Sequence, residues 1–132
     1  MTIVLDSSYA LALAFPDENP PDSSQHVLGQ PLVAPHIFLI EVANAALNSV
    51  RRHRYLPVEA ERICQLIEGL AVEPAPPPEV GAAFHLRMAL AHGLTAYDAL
   101  YLDLAQVNRC PLATRDAVLA AAARKAGIEV FS

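Results

Sequence analysis

Short apolar runs that alternate with helical patterns restrict this chain to a parallel sheet clothed in helices. The runs are residues 2–5, 31–34, 71–73, 111–113 and 128–131. Between them the apolar residues recur at helical rather than alternating spacing over 7–14, a short stretch closed by Gly29, 37–53, 58–70, 79–92, 95–108 and 115–126. Parallel strands need long crossovers, and helices supply them while covering both faces of the sheet. The expected fold is α/β, a three-layer α/β/α sandwich of Rossmann-like kind.

A chain of 132 residues suits one domain, residues 1–132, that buries roughly two-thirds of its unfolded surface. The stretch Pro74-Ala75-Pro76-Pro77-Pro78 has the composition of a linker, but neither flank can build its own core, so it reads as an internal loop. The hydrophobic share is 54% with mean hydropathy +0.30, yet no apolar run nears the ~20 residues of a membrane span. The first residues lack a basic segment and meet Asp6, so no secretory signal is expected and the compartment reads as cytoplasmic. Cys64 and Cys110 form no close pair and read as reduced thiols.

A net charge of −5 argues against a protein that coats nucleic acid, though not against one that cuts it. Four acids fall where the proposed fold would gather them. Asp6 closes the run Ile3-Val4-Leu5, and Asp116 follows Pro111-Leu112-Ala113 after Thr114 and Arg115. Glu41 and Asp98 lie near the starts of two helices. Ligands of open α/β sheets bind beyond the carboxyl ends of the strands, where the next helices begin. Taken singly, each acid has a plainer role. Asp6 could cap the helix after it, Ser7 being the other candidate cap. Asp98 could close a capping box with Thr95, Asp116 could sit in a first turn behind a Thr114 cap, and Glu41 could be a solvated helix residue. Together they are harder to explain without a cation. Two carboxylates ~4 Å apart repel by about 4 kcal/mol at an effective dielectric near 20. A divalent ion relieves that repulsion, and an all-oxygen donor set suits magnesium or manganese.

These residues also carry a resemblance. The chain resembles the PIN-domain ribonucleases, and most closely the VapC-type toxins of toxin–antitoxin pairs in bacteria and archaea. Val4-Leu5-Asp6-Ser7-Ser8 is similar to the family's opening strand. Glu41-Val42-Ala43-Asn44 is similar to its second motif, Leu94-Thr95-Ala96-Tyr97-Asp98-Ala99-Leu100-Tyr101 to its third, and Leu112-Ala113-Thr114-Arg115-Asp116 to its fourth. The resemblance implies a magnesium- or manganese-dependent endoribonuclease with Asp6, Glu41, Asp98 and Asp116 as catalytic metal ligands. It implies Ser8, Asn44 and Thr114 as orienting groups around them. It also implies an RNA substrate, a cognate VapB-type antitoxin and a homodimer. Some relatives carry a further acid two residues after the last, where this chain has Val118, so a second ion would have fewer ligands and is not predicted. A catalytically silent interaction module and a small-molecule phosphatase are the competing readings.

Phosphate contacts would fall to Arg115, beside Asp116, and to the basic run Arg51-Arg52-His53-Arg54. The plainer role of that run is to complement a helix C-terminus. His85 and His92 stand two helical turns apart, about 10 Å, too far to chelate one ion. The expected buried stripe of the helix over 37–53 is Ile40, Ala43, Leu47 and Val50, and that of the helix over 58–70 is Ile63, Leu66, Ile67 and Leu70. Ile37, Phe38, Leu39, Phe84, Leu86, Met88 and Leu90 exceed what one sheet face needs and are the expected dimer surface.

Overall fold

The computed structural model describes all 132 residues. In chain order the elements are β1 (Ile3–Leu5), α1 (Ser7–Ala14), α2 (Ser24–Leu28), β2 (Leu32–Ala34), α3 (Phe38–Arg51) and α4 (Pro57–Glu68). They continue with β3 (Glu73–Pro74), α5 (Ala82–His92), α6 (Ala96–Asn108), β4 (Leu112–Ala113), α7 (Ala117–Lys125) and β5 (Val130–Phe131). The five strands form one sheet in the order β3-β2-β1-β4-β5, every pair parallel. The α/β fold is therefore as expected. No helix is long and apolar enough to cross a membrane.

β1 sits at the centre because all three of its side chains can be apolar on both faces, and Ile3, Val4 and Leu5 have no exposed surface. Val4 is in register with Val33 on one side and Leu112 on the other. Helices α1, α3 and α4 pack against one another, while α6 packs on β1 and β4 and contacts α5 and α7. From β1 the chain moves outward through β2 to β3, then returns to the other side of β1 as β4. That reversal opens a crevice beyond the carboxyl ends of β1 and β4, the usual place for a ligand in such sheets. Asp6 and Thr114 are the first residues past those two ends.

Several element ends differ from expectation for local reasons. The third strand begins at Glu73, not Ala71, because Ala71 takes a left-handed φ of 54° after α4. Pro74 is tolerated because β3 is an edge strand. The following proline-rich stretch is tied in by the Ala75 amide, which donates to the Ala34 carbonyl at 2.8 Å. α7 starts at Ala117 because Asp116, with an extended φ/ψ of −79°/116°, takes the cap position foreseen for Thr114. Thr114 is fully buried. Asp6, not Ser7, occupies the N-cap position of α1.

The buried stripe of α3 is also not the one expected. Phe38, Val42, Ala46 and Ser49 face the core, whereas Ile40 is 73% and Leu47 43% exposed. The helix carries two apolar stripes, and spacing alone does not choose between them. Ser49 is tolerated inside because its hydroxyl donates to the Ala46 carbonyl at 2.6 Å. On α4, Ile63 and Ile67 are buried but Leu66 is exposed. Phe38 thus leaves the expected dimer surface for the core, while Leu39, Leu86 and Leu90 are exposed.

Arg54 fastens the α1–α2 connection to the α3–α4 connection. Its guanidinium donates to both Asp17 oxygens, at 2.8 and 3.0 Å, and to Glu18 at 3.0 Å. It also lies over the Phe15 ring, 4.4 Å from the centroid, and near the Tyr55 ring, which stacks on Phe15. Arg54→Lys keeps the charge but loses the planar fork and the stacking. It should lower the melting temperature by a few degrees in a thermal melt. The loss should persist in molar salt, where screening removes the plain ion-pair contribution. Full recovery with lysine would assign the contact to charge alone.

Candidate metal and nucleic-acid site

Asp6 is 3% exposed because the strand that delivers it is the most buried in the sheet. Its carboxylate does not cap α1. Instead its Oδ2 accepts from the Ser8 hydroxyl at 2.5 Å and the Thr114 hydroxyl at 2.8 Å. Each hydroxyl is held by an amide: Arg115 N–H donates to Ser8 Oγ at 2.9 Å and Asp116 N–H to Thr114 Oγ1 at 3.0 Å. Each hydroxyl has one proton, and this arrangement directs both to the same oxygen of Asp6. Burial raises the Asp6 pKa, the Ser8 and Thr114 hydroxyls pull it down, and the Asp116 charge adds to the rise.

Glu41 projects from the first turn of α3 and is half-buried. Its Oε1 accepts from the Tyr101 hydroxyl at 2.5 Å. Burial raises its pKa, the Tyr101 hydroxyl opposes this, and the charges of Asp6 and Asp98 raise it further. Asp98 sits in the first turn of α6, where Thr95 caps the helix by accepting from the Asp98 amide at 3.1 Å. No bond returns from the Asp98 carboxylate to the Thr95 amide, so the capping box is only half formed. Burial, then the charges of Asp6 and Asp116, push the Asp98 pKa up to about 6, with the Thr95 hydroxyl acting the other way. Asp116 caps α7 through Oδ1, which accepts from the Val118 and Leu119 amides, both at 2.9 Å. Its plainer role is therefore present, and it leaves Oδ2 free.

The four acids thus come from four elements and act on one another electrostatically. As the side chains stand, no three of the His, Cys, Asp and Glu groups approach closely enough to share one ion. The donor set nonetheless has the chemistry a hard divalent cation needs. It is all oxygen and like-charged, and the pKa values of Asp6, Glu41 and Asp98 are raised by burial and by neighbouring carboxylates. One oxygen is free on each of Asp6, Glu41 and Asp116.

The other expected residues separate. Ser8 and Thr114 hold Asp6, as above. Asn44 is exposed and makes no bond to Glu41; it lines an open groove of about 550 Å³ with Ile40, Glu41, Ala43, Leu47 and Tyr97. Arg115 is exposed beside Asp116. Arg51 and Arg52 lie ten residues or more beyond Glu41 at the far end of α3, about 15 Å along the axis. Arg54 is engaged by Asp17 and Glu18. Tyr101 is the residue that sequence reasoning passed over. Spacing puts Tyr101 three residues after Asp98 and so on the same face of α6, but it does not show that this face meets Glu41 of α3.

A parallel five-stranded sheet with acids past the carboxyl ends of β1 and β4 defines an α/β domain whose charged groups stand at the edge where open sheets bind ligands. The PIN-domain family model matches residues 3–131, and the chain belongs to the PIN-domain family. VapC ribonuclease Mb0985 of Mycobacterium bovis and ribonuclease VapC9 of Mycobacterium tuberculosis are each 32% identical to it over 114 residues, 86% of this chain and 85% of theirs. The motif resemblance to VapC-type proteins is thereby borne out. Among solved structures, PAE2754 of Pyrobaculum aerophilum superposes with a TM-score of 0.74 at 23% identity, covering 98% of this chain and 89% of that one. FitAcB of Neisseria gonorrhoeae gives 0.64 at 21% identity, covering 98% and 96%. Both share the fold.

Proposed function

We propose that this protein is a magnesium- or manganese-dependent endoribonuclease, acting in the cytoplasm as the toxin of a toxin–antitoxin pair. The observation that carries the reading is the set of mutually repelling carboxylates of Asp6, Glu41, Asp98 and Asp116 at the crevice beyond β1 and β4. The VapC ribonucleases it resembles supply the substrate class. Asp6, Glu41 and Asp98 would hold the ion directly, and Asp116 directly or through water. When bound, the ion would supply an acidified water and offset the charge on the leaving oxygen. Ser8 and Thr114 keep Asp6 in one rotamer and leave Oδ1 for ligation. Arg115 is the arginine placed to meet a substrate phosphate, while Arg51 and Arg52 can grip the chain only farther off.

Partners follow from the same surface. The groove beside Glu41, walled by Ile40, Ala43, Leu47 and Tyr97, suits an apolar helix of an antitoxin, which would set an arginine against the carboxylates. The exposed Leu39, Leu86 and Leu90 suit a second copy of the chain. Light scattering at tens of micromolar should give a dimer.

The purified protein should cut RNA internally when magnesium is added and stop when the metal is chelated. Products should carry 5′-phosphate and 3′-hydroxyl ends, because attacking water does not involve the 2′-hydroxyl. End-sequencing of the fragments checks this. Cyclic phosphates at the new ends, or hydrolysis of phosphate monoesters alone, would exclude the mechanism.

A further inference from the structure

We infer that Tyr101 is a positioning residue for Glu41, fixing that carboxylate as a one-oxygen ligand and so favouring a small octahedral cation over a larger one. The inference rests on the metal-site reading above and extends it to a residue outside the carboxylate set. Tyr101 is fully buried, on α6 one helical turn beyond Asp98, and its hydroxyl donates to Glu41 Oε1 at 2.5 Å. The bond spans α6 and α3, so it ties the helix that presents Asp98 to the one that presents Glu41.

The consequence lies in which oxygen remains. A tyrosine hydroxyl has a single proton, and here it is spent on Oε1, so Oε2 is the oxygen of Glu41 that no side chain occupies. The same pattern recurs at Asp6, where both hydroxyls converge on Oδ2, and at Asp116, where both amides converge on Oδ1. Three of the acids are thereby presented one oxygen at a time. Magnesium demands near-octahedral geometry with short bonds, whereas calcium takes more ligands and often both oxygens of a carboxylate. Of the three constraints, the Tyr101 bond is the one made by a single side-chain hydroxyl with no backbone role, and phenylalanine matches the ring. Glu41 also has the longest side chain of the acids, so it has the most rotamer freedom to lose.

The test compares wild type, Tyr101→Phe, Glu41→Gln and the double variant. Manganese and calcium binding are each measured by calorimetry, and folding is checked by circular dichroism. Tyr101→Phe should weaken manganese binding about 10- to 100-fold, the range for outer partners of metal ligands. It should weaken calcium binding less, so the manganese-to-calcium affinity ratio falls at least several-fold. In the Glu41→Gln background the same change should have little effect, since the group it positions is gone. A general loss of packing would lower both affinities alike and would not depend on Glu41. Unchanged manganese affinity and an unchanged ratio in a folded Tyr101→Phe protein overturn the inference while leaving the metal site intact. A wild type that binds no manganese overturns both. Should Tyr101→Phe not fold, the wild type decides: the Tyr101 Cζ carbon resonance should shift on magnesium addition, and a resonance that does not move overturns the inference.

Discussion

Asp98→Asn is expected to reduce RNA cleavage at least about 100-fold while leaving the fold intact. Asparagine has nearly the same volume, and the helix cap is kept because Thr95 accepts from the backbone amide of residue 98, not from its side chain. What disappears is one of the charges facing Asp6 and Asp116. Outer-shell substitutions around metals already cost 10- to 100-fold, and loss of a ligand should cost no less. The variant should also melt no lower than wild type without metal, because it removes a half-buried charge held next to other acids. Cleavage rate and melting temperature are read on the same preparation. A variant that cuts at the wild-type rate excludes Asp98 as an essential ligand.

The same logic explains how much of this protein could be read in advance. Asp6 and Thr114 were legible because each directly follows an apolar run, and a parallel sheet fixes where the residue after a strand must stand. Asp98 was legible from its place in the turn after Leu94-Thr95. Tyr101, by contrast, gains its role only when α6 packs across from α3, a tertiary fact that helical spacing does not carry. Asp116 shows a milder failure. Its position near a helix start was evident, but whether it or Thr114 would cap depended on Thr114 being drawn inward to Asp6. The buried α3 stripe differs from the expected one because Phe38–Val42–Ala46 and Ile40–Ala43–Leu47 are both apolar series at helical spacing. Burial chose the first, which freed the second to wall the groove beside Glu41.

Adding magnesium should raise the melting temperature strongly at neutral pH and hardly at all near pH 4.5, and without metal the protein should lose stability as pH rises. Asp98 has its pKa raised from 3.8 to about 6 in the folded state, and Asp6 and Glu41 are shifted the same way. Between those values the folded chain holds protons that the unfolded chain releases, so stability falls as pH climbs from about 4 to about 6 and levels off above. Solvent access to Asp98 limits its share to roughly 1 kcal/mol. Asp17 works in the opposite sense in a lower window. Its pKa is depressed to about 2, first by the Arg54 hydrogen bonds, so its contribution is present above about 4 and lost as pH falls towards 2. The metal-free optimum therefore lies where the two windows meet, near pH 4. A cation reverses the upper slope, because it binds the ionised acids and competes with protons. At a hundred times its dissociation constant it adds about 2.7 kcal/mol, roughly 10 °C for a chain of this size. Melts across a magnesium titration at both pH values decide the matter. An equal gain at pH 4.5 and 7.5 would place the ion away from these carboxylates, and no gain at either would remove the metal site.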